Sequence, residues 1–191
     1  MELSIDQEDT RKRISFKDED RLLGDFTELL SFHADKDIHV LLKEFLQKAR
    51  RFTGVDTLCI YHARSSNLGF TKLASIEKEK AFPKNVNLEE LNFQGQIHVW
   101  KGGELPFTRL QNYAQEIGLE YLLVSRLTQG DGMLGLIAAG GFQSAHLALI
   151  SKRLEVVSGV LASVLQRYIL EVFLKSQNED LRKKIGTYDQ V

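Results

Sequence analysis

An α/β (α+β) fold, with a central and mainly antiparallel sheet packed by helices from both ends of the chain, is predicted by three features. Apolar residues repeat at three and four residues over Ile38–Phe52 and again along the C-terminal third, which marks amphipathic helices. Between them lie runs rich in β-branched and aromatic residues, such as "TLCIY" and "YLLVSRL", punctuated by turn residues. The order is helix, helix, strands, a short-helix region, strands and one long helix, and 191 residues suit one domain with a helical extension.

Residues 1–17 are polar and mixed in charge without sustained periodicity, and read as a flexible tail. From Asp18 onward, Leu22, Leu23, Phe26, Leu29 and Leu30 share one helical face, with Asp18, Glu19 and Asp20 at the end where the helix dipole favours negative charge. The next helix carries the stripe Ile38, Leu41, Leu42, Phe45, Leu46, Ala49 and Phe52. Asp35 or Asp37 caps its start, Arg50 and Arg51 occupy its last turn, and Gly54 stops it. "VDTLCIYHA" and "FTKLASI" predict a hairpin across "RSSNLG". Glu77 to Phe93 reads mostly as loop, "GQIHVWKGG" as a short helix bracketed by glycines, and "LQNYAQEIG" as a second short helix. Strands over "LEYLLVSRL" and "MLGLIAAGG" follow, and a helix from Ser144 or Ala145 to about Ile185 closes the fold. Leu147, Ile150, Leu154, Val157, Leu161, Val164, Leu165, Tyr168 and Val172 give that helix a broad apolar face. It narrows to Leu174, Asn178, Leu181 and Ile185, the spacing of a coiled-coil seam with Asn178 as a register-fixing polar residue.

Composition excludes several classes. The net charge of -1 gives no electrostatic argument for nucleic acid or an anionic membrane. The apolar runs "YLLV" and "LGLIAAGGF" fall short of a membrane span, and "MELSIDQEDTRKR" lacks a signal-peptide core. One cysteine, Cys59, permits no internal disulfide, which suits a reduced, cytoplasmic setting.

"LTQGDGMLGLIAAGG" contains a literal G-x-G-x-x-G at Gly130, Gly132 and Gly135. A dinucleotide loop needs a helix directly after the glycines, so that its N-terminus meets the pyrophosphate. Here a small, apolar, glycine-punctuated strand follows instead, and Asp131-Gly132 between apolar runs signals a hairpin. The motif is a turn. No nucleophile elbow and no zinc-hydrolase histidine spacing appears, so catalysis is not expected. In "HADKDIH", His33, Asp35, Asp37 and His39 are competent ligand types, but helix capping accounts for the aspartates and no metal is expected.

Gly95, Gly103-Glu104-Leu105-Pro106, Ile117-Gly118, Ser125-Arg126-Leu127 and Leu134-Gly135-Leu136-Ile137 occur in an order and spacing that resembles the GAF domain family. The upstream "LLKEFLQKARRFTGVDTLCIYHA" is similar to that family's first core helix and strand, and the resemblance covers roughly Leu22 to Val172. It implies a sensory domain over 18–173 and a coiled-coil signalling extension over 174–191. Arg126 stands where the family usually has proline, which introduces a cation on the strand. The Asn-Lys-x-Phe-Asp-Glu motif of cyclic-nucleotide-regulated members is missing, so cyclic GMP is not supported. Cys59 lies on the first strand rather than at the bilin-attaching position, and one cysteine cannot supply the reactive pair of the sulfoxide-reducing members.

The resemblance places His98 and Trp100 on a short helix that lids a pocket. A neutral His98 imidazole there could ligate a haem iron or bind an anion, or simply pack inward. Two residues apart on a helix, only one of His98 and Trp100 would face the pocket. Arg109, Tyr113 and Arg126 could contact a carboxylate or phosphate. Period two sets Arg126 with Leu122 and Val124; a buried face would demand a partner or ligand for it, and an exposed one would make it solubilising. The expectation is a cytoplasmic sensory module that is not an enzyme. It would form a homodimer through its N- and C-terminal helices, seamed by Val157, Leu161, Val164, Tyr168, Leu174, Asn178 and Leu181. A small-molecule signal would pass to an output domain such as a histidine kinase, in cis or in a partner protein. The alternative is a ligand-free dimerisation spacer.

Overall fold

The computed structural model describes residues 21, 24, 37–63, 69–87, 93 and 95–188. The helix expected from Asp18, the polar tail and most of the "RSSNLG" turn lie outside the described residues, Arg21 and Gly24 apart. The first continuous element is helix α1, Ile38–Thr53. Asp37 caps it by accepting the His39 N–H at 3.0 Å. Gly54, at φ 76°, ends it with its N–H on the Arg50 carbonyl.

Among the described residues six strands follow in one sheet: β1 Thr57–Ala63, β2 Gly69–Ile76, β3 Asn85–Asn87, β4 Ile97–Lys101, β5 Tyr121–Gln129 and β6 Gly132–Gly141. Their order is β3-β2-β1-β6-β5-β4, with every neighbouring pair antiparallel. Helix α2, Arg109–Glu116, lies between β4 and β5, and helix α3, Leu147–Tyr188, follows β6. The hairpin of the glycine motif is confirmed, one residue from where Asp131-Gly132 puts it. Gln129 pairs with Gly132, so Gly130 and Asp131 form the loop, and Gly130 supplies its positive φ of 56°. Gly135 serves packing, since a Cβ there would collide with the Tyr61 carbonyl oxygen of β1.

Two corrections concern local period. "GQIHVWKGG" contains strand β4 rather than a short helix. Ile97, Val99 and Trp100 favour extended backbone, and the open edge of β5 supplies a hydrogen-bonding ladder that a short helix flanked by glycines lacks. Within the expected loop, Asn85–Asn87 pairs with Gly69–Thr71 as an edge strand.

Alternation along the strands splits the core in two. On the proximal face Leu58, Ile60, Leu123, Leu127, Ile137 and Ala139 meet Leu42, Phe45 and Leu46 of α1 and Leu154, Val157, Leu161 and Leu165 of α3. On the distal face Cys59, Tyr61, Leu122, Val124, Leu136 and Ala138 meet Leu110, Tyr113 and Ala114 of α2, with Phe82 from the strap between β2 and β3 and Val86 from β3.

Helix α3 runs unbroken for 42 residues. Over Leu147–Glu179 it is long and apolar enough, by length and composition, to cross a membrane, which the separate short runs do not reveal. Its first half is instead a core helix: Val157, Leu161 and Val164, expected in the dimer seam, are buried in this domain's own core. Farther along, Tyr168, Ile169, Leu170, Phe173, Leu174, Asn178 and Leu181 are exposed.

Candidate functional site on the distal face

The ladder register decides which candidate residues meet. His98 pairs with Val124 and Trp100 with Leu122, so both lie on the distal face. Arg126 pairs with Leu136 on the same face. The helical reading allowed only one of His98 and Trp100 to point inward, and the strand turns both that way. Tyr113 reaches this face from α2 and is buried. Arg109 does not join them: it is exposed in the first turn of α2.

Gln111 organises one end of the face. Thr108 Oγ1 accepts the Gln111 N–H at 3.1 Å, while Gln111 Oε1 accepts the Thr108 N–H at 3.1 Å, completing a capping box. The same oxygen accepts the Phe107 N–H at 2.7 Å. With Oε1 so committed, Nε2 is the donor to His98 Nε2 at 3.0 Å, and His98 carries its ring proton on Nδ1 in this arrangement. Iron ligation through His98 Nε2 would require that bond to break.

Two phenols hold the strap against the other end. Tyr61 donates to the Pro83 carbonyl at 2.9 Å and Tyr113 to the Lys80 carbonyl at 3.0 Å. Phe82 lies against Tyr113, ring centroids 4.4 Å apart. Glu77 Oε1 accepts from Ser75 Oγ at 2.7 Å, the Phe82 N–H at 2.9 Å and Lys72 Nζ at 3.1 Å. Burial pushes the Glu77 carboxyl up, but these donors outweigh it and hold it below its ordinary value. Burial likewise pushes up the Tyr61 and Tyr113 phenols and the Cys59 thiol, keeping all three protonated. Cys59 is fully buried, so it presents no accessible thiolate.

Arg126 is partly buried with its guanidinium over the Phe93 ring, 4.4 Å from the centroid. His98 touches the same ring edge-on at 6.1 Å and 69°. A cleft of about 640 Å³ opens at the strand ends, lined by Trp100, Lys101, Gly103, Gln115, Glu120 and Leu147 among others. The Trp100 indole N–H has no hydrogen-bond partner, yet it is closed off from solvent and so does not address that cleft. Among the described residues no group of three His, Cys, Asp or Glu side chains could hold a metal.

The sequence reading missed Tyr61, Glu77, Phe82 and Gln111. Thr108-x-x-Gln111 is a legible capping-box signal. The others depend on the path of an irregular segment, for which no local pattern exists.

The sequence matches no protein-family model and no curated protein. Solved structures do match. The A. aeolicus nlh2 GAF domain in an inactive state superposes with a TM-score of 0.64 at 15% identity, covering 81% of this chain and 99% of that one. A phycoerythrobilin-bound GAF domain from a cyanobacterial phytochrome gives 0.57 at 13% identity, covering 82% and 97%. The chromophore-binding domain of Stigmatella aurantiaca bacteriophytochrome gives 0.56 at 15% identity, covering 78% of this chain; the match spans 60% of that longer structure. The fold is that of a GAF domain.

Proposed function

We propose that this chain is a sensory module of cytoplasmic signal transduction. A small molecule bound on the distal face would shift the packing of α3, and paired α3 helices would carry the change to an output domain such as a histidine kinase, in cis or in a partner protein. One observation carries the reading. A single 42-residue helix takes part in the sheet's core through Leu154, Val157 and Leu161, then continues into a stretch with exposed apolar side chains. Tyr168, Leu174, Asn178 and Leu181 are then the seam of a homodimer, while Val157, Leu161 and Val164 transmit strain from the sheet. The N-terminal helices would complete the dimer. The bilin-bound neighbour shows that a GAF fold can house a ligand of that size, and the buried Cys59 argues against covalent attachment here.

A specific observation favours the spacer reading as the second choice. Tyr61, Phe82, Trp100 and Tyr113 fill much of the distal core. Native mass spectrometry beside the denatured mass, with an absorbance scan of the same sample, separates the two. A dimer carrying extra mass supports the sensor, and a Soret band would bring His98 forward as an iron ligand despite its bond to Gln111. A dimer of bare chains whose melting point no metabolite raises supports the spacer.

A further inference from the structure

Two long cationic side chains stand on the distal face, and their surroundings differ. Lys72 is paired across the ladder with Tyr61 and neutralised by Glu77 at 3.1 Å. Arg126 has no carboxylate partner among the described residues. Its Nε is shut away from solvent without an acceptor, and its guanidinium carbon stands over the Phe93 ring, 4.4 Å from the centroid. A guanidinium drawn partly out of water without a counter-charge is costly to keep, and its planar fork matches a carboxylate in two parallel hydrogen bonds. The Nε2 of the neighbouring His98 is already engaged by the Gln111 side-chain amide. Phe93, held between Arg126 and His98, is an apolar surface on which a flat molecular body can lie.

We infer that the Phe93–His98–Arg126 corner binds a carboxylate-bearing small molecule, its anionic end on the Arg126 fork and its body against Phe93. This rests on the distal face being the ligand seat, and narrows it to one chemical class. Sodium benzoate is the probe, titrated into the ¹⁵N-labelled full chain at constant ionic strength, with benzamide as the neutral counterpart and inorganic phosphate as the alternative anion. Saturable shifts at Arg126 Nε–H and the Gln96–His98 amides are expected with benzoate. Benzamide should bind at least about tenfold more weakly, since the charge-assisted pair is lost. Arg126→Gln should abolish the response and Arg126→Lys should reduce it. Phe93→Leu should weaken benzoate more than acetate, a readout that does not require removing the arginine. The inference is overturned if Arg126→Gln, still folded by its melting curve, binds benzoate like the parent, or if benzamide or phosphate does as well. The mass measurement stays separate: a co-purifying neutral molecule would uphold the sensor and overturn the carboxylate assignment.

Discussion

Replacing Glu77 tests whether the strap is held electrostatically. Its Oε1 is the only hydrogen-bond acceptor seen for the Phe82 N–H among the described residues, and Phe82 itself is 2% exposed. Stranding that buried donor costs about 1–3 kcal/mol. The Lys72–Glu77 pair, each partner about a quarter exposed, adds no more than about 1 kcal/mol. Glu77→Ala should therefore lose roughly 1–4 kcal/mol near neutral pH, or about 2–16 °C in melting midpoint for a domain of this size. Glu77→Gln supplies the pH test, since its amide can still accept but cannot ionise. The folded Glu77 carboxyl lies below its ordinary value of 4.5, so its ionic contribution is complete above that value and is lost as pH falls through the folded pKa. The gap between parent and Glu77→Gln should be widest at neutral pH and close under acid, measured by urea denaturation across the range. A gap that is the same at both ends would refute charge as the origin. A Glu77→Ala loss under about 0.5 kcal/mol would refute the strap network altogether.

Three further outcomes follow from the packing. Gly135→Ala should destabilise by more than about 3 kcal/mol or prevent folding, because its methyl would collide with the Tyr61 backbone; circular dichroism melting checks this. Leu161→Ala, deep in the proximal core, should cost about 2–5 kcal/mol in a chemical-denaturation series, whereas Leu174→Ala should change the stability of the domain itself by less than about 1 kcal/mol. Cys59, buried with its thiol pushed up by burial, should resist iodoacetamide in the native state and label at once in denaturant.

How far the sequence reaches depends on where each signal resides. Helix α1 was legible in full, because its stripe, cap and stop are local: Asp37, Arg50, Arg51 and Gly54 act as read. The β5–β6 hairpin was legible because only a turn lets "LTQGDGMLG" join two apolar runs. Strand β4 was not, since the six residues Gln96–Lys101 between glycines span fewer than about two helical turns, too few for a periodicity to show, and only the free edge of β5 decides the state of Ile97–Lys101. The site followed the same rule. Its residue types were legible, and four of the five candidates share the distal face, but their convergence depends on ladder register. The proposed dimer seam shows the converse. Heptad spacing alone cannot tell Val157 and Leu161, spent on the domain's own sheet, from Leu174 and Leu181, left exposed.

The central claim is that the exposed half of α3 joins two copies. Sedimentation equilibrium of the full chain beside the Leu174→Glu/Leu181→Glu variant tests it most directly, with melting curves to show that both are folded. The account predicts a dimer that becomes monomeric in the variant while the domain stays folded. A monomeric parent at tens of micromolar, or a variant as tightly dimeric as the parent, would contradict it.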